Sequence, residues 1–327
     1  MTKARYLTDN YHDSSWFEPG GWQELTLVAA AVKQGLFRSL ATGPTTPIHV
    51  AEDLSLDARA TGLVFEALAA LGYLSVDDGR YKLTDTAAQR FADPGSDSYH
   101  GWAVLHSWRL VERWLTLPEV IETGEPVPGD RFSEGIEGFI RAMDIYARAT
   151  AEEVAEACLI RTPGAGSILD IGGATGTVSK VMTGWGLEAV LFDLPDAIDV
   201  IKDELARDFP AIRPIGGDFN KRLPGGPFDI AFLGNITHIY GPEKIQGLFA
   251  RIAAELNPGG LMAILDFVRG RSTSAALFGI NMLVNTTSGG TWTEAEYSMW
   301  LGEAGFVDIE IRDLAARDQQ LILATAK

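Results

Sequence analysis

"LDIGGATGTVSKVM", residues 169–182, follows an apolar, β-rich run and opens onto residues at helical spacing. A dinucleotide fingerprint G-x-G-x-x-G would place its last two glycines at Gly173 and Gly176 and its first at Ile171, so that fingerprint fails. The Lys-Ser/Thr ending of a phosphate-binding P-loop is missing too. What is left is Asp170-x-Gly172-Gly173-x-x-Gly176. Its glycines let the backbone come close to a ligand, and its carboxylate can receive a positive group.

On either side of this turn the pattern is β-rich runs separated by helical stretches or loops. "SILDIG" (167–172), "AVLFDLP" (189–195), "IRPIGGDF" (212–219), "FDIAFLGN" (228–235) and "LMAILDFV" (261–268) predict a parallel, doubly wound sheet. Pro258-Gly259-Gly260 predicts a break before the fifth of these strands. "FVDIEIRDL" (306–314) and "QLILATAK" (320–327) predict two more, joined by a tight connection. Such a terminal antiparallel hairpin is unusual for a dinucleotide dehydrogenase.

Ligands of such sheets bind at the carboxyl ends of the strands. Asp193 ends the second strand, where a carboxylate can hold two ribose hydroxyls. "GDF" (217–219) ends the third, with Asp218 and Phe219 beside an adenine position. Each feature has a plainer explanation: glycine for a tight turn, Asp193 as a helix cap, Asp218 as a turn former. Three in order at successive strand ends outweigh it. A ligand with ribose, adenine and a cationic amino-acid tail is S-adenosylmethionine (SAM).

The front third reads differently. "WQELTLVAAAVKQGLFRSL" (22–40), "TPIHVAEDLSL" (46–56) and "DARATGLVFEALAALGYL" (57–74) predict three helices, with Asp57 capping the third. "YLSVDDGRYKLT" (73–84) predicts a hairpin, which completes a winged helix-turn-helix. DNA binding is not expected of it. The third helix offers Arg59 and then "TGLVFEALAALG", apolar and acidic where a reader of base edges needs Arg, Lys, Asn or Gln. Such helices suit packing, and the Ala-, Val- and Leu-rich first helix suits a homodimer interface. "GWAVLHSWRLVERWLTLPEVIETGEP" (101–126) and "FIRAMDIYARATAEEVAEACL" (139–159) predict linking helices, where Trp102, His106, Trp108 and Met143 supply aromatic and soft apolar surface.

Composition narrows the class further. The 327 residues carry 27 Lys and Arg against 44 Asp and Glu, a net charge of −17, which argues against nucleic-acid partners. A hydrophobic fraction of 46% fits a folded, soluble chain. Cys158, the one cysteine, fits a reducing cytoplasm. Residues 1–21 lack the apolar core of a signal peptide, and no stretch reaches the ~20 apolar residues of a membrane span.

Together with "WLTLPEVIETGEP", "FDLP", "ITHIYGPE", "LNPGG" and "TWTEAEYSMWLGEAGF", these motifs resemble the SAM-dependent O-methyltransferases of the plant caffeate and animal acetylserotonin type, with their bacterial relatives that tailor natural products. The resemblance covers nearly the whole chain. It implies a winged-helix dimerisation domain (1–98) that helps close the partner's pocket, linking helices that contribute to the substrate pocket (99–160), and a Rossmann-like class I methyltransferase domain with a seven-stranded sheet (161–327). It implies no metal. Asp170, Gly172, Gly173, Asp193, Leu194, Asp218, Phe219 and Asn235 are the cofactor set it points to, and S-adenosylhomocysteine is the product.

In that family the histidine after the fourth strand takes the proton from the substrate hydroxyl, and His238 in "GNITHIYGPEK" (234–244) matches it. A histidine of ordinary pKa suits that task near neutral pH. The chain departs from the plant pattern at His238-Ile239-Tyr240, where His-Asp-Trp is usual. It also lacks a Glu near "NMLVNTTSGG" that helps hold the histidine, and Asp266 is the nearest substitute. The substrate set is Trp102, His106, Trp108, Met143, Asp266, Phe278, Asn281, Met282 and Asn285. Aromatic and thioether walls favour a flat, apolar, aromatic or polyketide-like acceptor. Three alternatives stay open: transfer to carbon or nitrogen, a non-methylating SAM reaction such as hydroxylation or pericyclic rearrangement, and a SAM-responsive DNA-binding regulator.

Overall fold

The computed structural model describes residues 21–129 and 135–327; the signal-peptide reading of residues 1–20 therefore lies outside the described residues. The chain divides into two compact units, Met1–Glu112 and Arg113–Lys327.

The first unit begins with α1 (Trp22–Lys33) and α2 (Leu36–Ser39). The sequence predicts one helix across 22–40, but Gly35 turns left-handed at φ 77° and divides it. In α3 (Pro47–Leu54) the Thr46 hydroxyl accepts the His49 N–H. Asp57 caps α4 (Ala58–Ala70), accepting the Ala60 N–H at 2.7 Å as its position predicts. Strands β1 (Leu74–Asp77) and β2 (Arg80–Leu83) pair antiparallel about Asp78 and Gly79. Both turn residues have positive φ, as a two-residue type I′ hairpin requires. α5 (Asp85–Phe91) and α6 (Gly101–Trp114) follow. Phe37 stacks on Phe91 at 4.8 Å, with Tyr73 beside both rings, at the centre of the unit's core.

The second unit runs α7 (Leu117–Thr123), α8 (Gly135–Ala147), α9 (Ala151–Arg161), β3 (Ser167–Ile171), α10 (Thr177–Gly184), β4 (Glu188–Asp193), α11 (Pro195–Asp208), β5 (Ile212–Gly216), β6 (Phe228–Gly234), α12 (Pro242–Ala253), β7 (Leu256–Asp266), α13 (Thr273–Asn285), α14 (Glu294–Glu303), β8 (Phe306–Asp313) and β9 (Gln320–Ala326). The seven strands form one sheet in the order β5-β4-β3-β6-β7-β9-β8. Those from β5 to β7 are parallel, while β9 pairs antiparallel with β7 and β8 antiparallel with β9.

Three local expectations change. Pro258-Gly259-Gly260 lies inside β7, where Leu256 pairs with Phe228 and a register shift follows before Ile230. It makes a bulge rather than a break. Strand β5 stops at Gly216, so "GDF" is the loop beyond it. The connection from β8 to β9 spans residues 314–319, longer than a tight turn.

Both faces of the sheet are covered, which is why its central strands read as continuous apolar runs. On one face Ile168, Leu191 and Ile230 pack with Val154 and Cys158 of α9, Met182 of α10 and Ile201 of α11. On the other, Leu169, Ile171 and Leu233 pack with Phe249 of α12 and with Tyr297, Trp300 and Leu301 of α14. Alternation along each strand sends neighbouring side chains to opposite layers. Being parallel, β3 to β7 bring their carboxyl ends to one edge of the sheet. There the turns are tied together: Gly172 N–H donates to Phe192 O, Gly217 N–H to Asp193 O and Asn235 N–H to Leu265 O.

Candidate active site

The glycine turn sits at the end of β3. Gly172 has φ +68°, and a Cβ there would come within 2.6 Å of Ile236 Cδ1. A Cβ on Gly173 would lie 2.4 Å from Leu191 Cδ1 and 2.5 Å from Asp170 Cγ. The bare backbone is therefore required by packing as well as suited to a close ligand. Gly173→Ala has no slack to use, since Leu191 is fully buried. We expect it to lower stability by about 1–3 kcal/mol in urea unfolding, a cost typical of overpacking.

Asp170 is buried. Its Oδ2 accepts the Ser179 hydroxyl at 2.7 Å, and its Oδ1 has no hydrogen-bond partner. Burial pushes this carboxyl up to about 7, with the Asp193 charge adding to the rise. Asp193, at the end of β4, is raised as well by burial; its Oδ2 accepts the Ala174 N–H and its Oδ1 the Leu194 N–H. Two carboxylates side by side, one with an orphaned oxygen, fit a ligand that carries a positive charge and hydroxyl donors. A SAM amino-acid tail and ribose supply those groups.

A test follows from the direction of the Asp170 shift. The folded protein keeps the Asp170 proton up to about pH 7, whereas an unfolded chain releases it near pH 4. Folding then binds the extra proton between those values, so stability from this group falls as pH rises across that window. Asp170→Asn is expected to raise the melting temperature of the cofactor-free protein at pH 8, with the gain fading towards pH 4.

Phe219 is buried and meets Tyr240 edge-on at 6.0 Å, and its ring lies 3.7 Å from the position a Cβ of Gly172 would take. Asp218 is half-buried, and the Asn220 N–H holds its carboxyl below the usual range. Asn220 Nδ2 donates to the Tyr240 hydroxyl. Asn235 takes a left-handed φ of +59° and accepts from Gln319 Nε2, and Leu194 is exposed.

His238 occupies a short 3-10 turn, Thr237–Ile239, just beyond β6. It is 6% exposed. Its Nδ1 lies 2.7 Å from Oδ1 of Asp266, and its own N–H donates to Oδ2 at 3.1 Å. Asp266 is fully buried at the end of β7 and also accepts the Thr237 hydroxyl at 2.5 Å and the Phe267 N–H at 2.8 Å. Burial opposes its charge, but the imidazole and these donors outweigh it and hold the carboxyl below the usual range. An ionised carboxylate on Nδ1 makes that nitrogen the donor, so that in the neutral ring Nε2 is the acceptor. Phe278 of α13 closes on the ring edge-on at 4.7 Å, and Phe267 stacks on Phe278.

Farther along α13, Asn281 Oδ1 accepts from Trp114 Nε1 and from Asn285 Nδ2. Met282 is buried one residue on. Met143 stands on α8, half-buried. Trp102, His106 and Trp108 belong to α6 in the first unit, with His106 buried, Trp102 against Tyr99, and Trp108 donating to Glu112. Thr237, Tyr240, Phe267 and Tyr297 are site neighbours that the sequence motifs do not single out. Tyr240 alone carries a signal, standing two residues after His238. Among the described residues there is no cluster of three or more His, Cys, Asp or Glu placed to hold a metal. No helix among them is long and apolar enough to cross a membrane.

The sequence profile of the O-methyltransferase domain matches residues 136–307. The tetracenomycin polyketide synthesis 8-O-methyl transferase TcmO of Streptomyces glaucescens is 30% identical over 92% of this chain and 95% of its own length. The chain belongs to the O-methyltransferase family. The N,N-dimethyltransferase OxyT of Streptomyces rimosus is also 30% identical, over 85% of each chain. Human N-acetylserotonin methyltransferase, solved in complex with SAM, superposes with a TM-score of 0.78 at 22% identity, covering 100% of this chain and 98% of that one. This O-methyltransferase thus has the mixed α/β class I methyltransferase fold, built on a mostly parallel seven-stranded sheet.

Proposed function

We propose that this SAM-dependent O-methyltransferase methylates a hydroxyl of a small aromatic or polyketide-like acceptor, with His238 as general base. The observation that carries the reading is the Asp266 carboxylate on Nδ1 of His238, which leaves Nε2 to take a proton. When bound, SAM supplies a methyl group on a sulfonium. Asp170, Gly172, Gly173, Asp193, Leu194, Asp218, Phe219 and Asn235 would hold it, with the first carboxylate facing its amino group and Asp193 its ribose. His238 turns a phenol into the better nucleophile, and Phe278, Asn281, Met282 and Asn285 of α13, with Met143, orient a flat acceptor. Phe278 and Phe267 also keep water from the imidazole.

The helix-and-hairpin front, taken as a winged helix over 1–98, serves homodimerisation rather than DNA, in keeping with its apolar, acidic third helix and the net charge. Residues 99–160 link it to the SAM-binding domain, 161–327. Cytoplasmic location fits the single, buried Cys158. The relation to TcmO favours a polyketide hydroxyl. The relation to OxyT favours a second reading, transfer to an amine, in which a neutral nitrogen needs a base less. Incubation with SAM and paired phenolic and amino acceptors tests both: S-adenosylhomocysteine and an O-methylated product are expected. An N-methylated product alone would favour the second reading, and no S-adenosylhomocysteine with either class would count against both.

A further inference from the structure

We infer that Thr237 and Tyr297 are positioning residues, two buried hydroxyls that form a one-way donor chain into Asp266 and through it fix the tautomer and aim of His238. The inference rests on His238 being the base. Thr237 Oγ1 lies 2.5 Å from Oδ2 of Asp266 and 2.6 Å from the Tyr297 hydroxyl. Both residues are fully buried, so each hydroxyl must be satisfied by the partners at hand. Hydrogen direction then follows. An ionised Asp266 can only accept, so Thr237 donates its single proton there. Its oxygen is left to accept from Tyr297. Burial keeps the Tyr297 phenol protonated, so it remains a donor.

The surroundings make the hydroxyl of Tyr297 unexpected. Tyr297 lies in the first turns of α14 within an apolar layer that includes Phe249, Trp300 and Leu301, where a phenylalanine would pack with nothing to desolvate. A capping box between Thr293 and Glu296 pins this end of the helix. The titratable groups facing the chain are His238 from the turn, Asp266 from β7, and Tyr297 and Glu296 from α14. Glu296 is paired with Arg269 at 3.0 Å. From α13 the neighbour of the imidazole is the neutral Phe278, and Trp292 Nε1 donates to the Thr237 carbonyl. The donors on both oxygens of Asp266 therefore hold the carboxylate in one orientation against Nδ1 of His238.

The test uses the whole enzyme with its best acceptor, comparing Thr237→Val, Thr237→Ser and Tyr297→Phe. Thr237→Val keeps the shape and removes both bonds; we expect kcat to fall about 10- to 100-fold, the scale of a lost bond to a charged group. Thr237→Ser restores the hydroxyl and most of the loss, and Tyr297→Phe falls between. KM for SAM stays near wild type throughout, and thermal melting reports whether each variant folds. Folded Thr237→Val and Tyr297→Phe proteins with wild-type kcat would overturn the inference, as would a Thr237→Ser variant no better than the valine. Loss of activity in His238→Ala alongside those results would sink the donor chain alone, whereas near-normal turnover in His238→Ala would sink the base itself.

Discussion

His238→Ala is expected to bind SAM as tightly as the wild type and to lose about 10²–10⁴ in turnover, the usual contribution of general acid–base catalysis. The two halves of that expectation have separate structural reasons. Asp170 and Asp193, the carboxylates proposed to hold the cofactor, lie at the ends of β3 and β4 and make none of their hydrogen bonds with His238. Truncating the ring removes one of four donors to Asp266; the residue's own N–H, the Thr237 hydroxyl and the Phe267 N–H remain. The buried carboxylate is left largely satisfied, so the variant should fold. Turnover is expected to fall because the nitrogen proposed to take the proton, Nε2, is gone, and a neutral phenol is a poor nucleophile. Titration calorimetry with SAM and S-adenosylhomocysteine release with a phenolic acceptor measure the two halves. Turnover within a few-fold of wild type would rule out the base assignment and favour transfer to an atom that needs no deprotonation.

Much of this arrangement is legible in the sequence, for a local reason. Apolar runs ended by Asp170, Asp193 and Asp266 mark strands whose carboxyl ends must share one edge once the sheet is parallel, and His238 lies just past such an end. Asp57 as a cap and Asp78-Gly79 as a turn are local in the same way. What stays hidden is set by partners distant in the chain. Asp266 can be picked out as an acid at a strand end and as the nearest substitute for the missing Glu, but the bond that joins it to an imidazole 28 residues away depends on the pairing of β6 with β7. Tyr297, 60 residues from Thr237, carries nothing within "TWTEAEYSMWLGEAGF" that marks that partnership. Pro258-Gly259-Gly260 has the composition of a break, yet the pairing of Leu256 with Phe228 carries the strand through it. The glycines show the converse. Gly172 and Gly173 are visible as a ligand loop, while the contacts with Ile236 and Leu191 that forbid a side chain there come only with the fold.

The second large effect belongs to Asp266→Asn, a change of one atom. Four donors converge on the carboxylate: His238 Nδ1–H and Phe267 N–H on Oδ1, His238 N–H and the Thr237 hydroxyl on Oδ2. An amide has one acceptor oxygen, so whichever way it is turned its NH2 group faces two donors. With the NH2 on the Oδ1 side, the imidazole can answer by moving its proton to Nε2 and accepting at Nδ1, which leaves no base towards the acceptor. With the NH2 on the Oδ2 side, it meets the His238 N–H and the Thr237 hydroxyl, and the backbone N–H cannot turn away. An asparagine in place of the aspartate that orients a catalytic histidine in serine proteases costs about 10⁴ in kcat through the wrong tautomer. A loss of about 10²–10⁴ in turnover is therefore expected here, together with about 1–3 kcal/mol of stability for the buried donor left unmade. The pH dependence separates this variant from a simple loss of packing. Because the folded protein holds Asp266 below the usual carboxylate range, its ionisation stabilises the wild type above about pH 4, and that stability is lost as pH falls through the folded-state value. The asparagine does not titrate, so the stability gap between the two proteins in urea unfolding should narrow steadily below pH 4. A gap that stays constant down to acid unfolding, with turnover near wild type, would mean that Asp266 neither carries its charge in the fold nor sets the tautomer of His238.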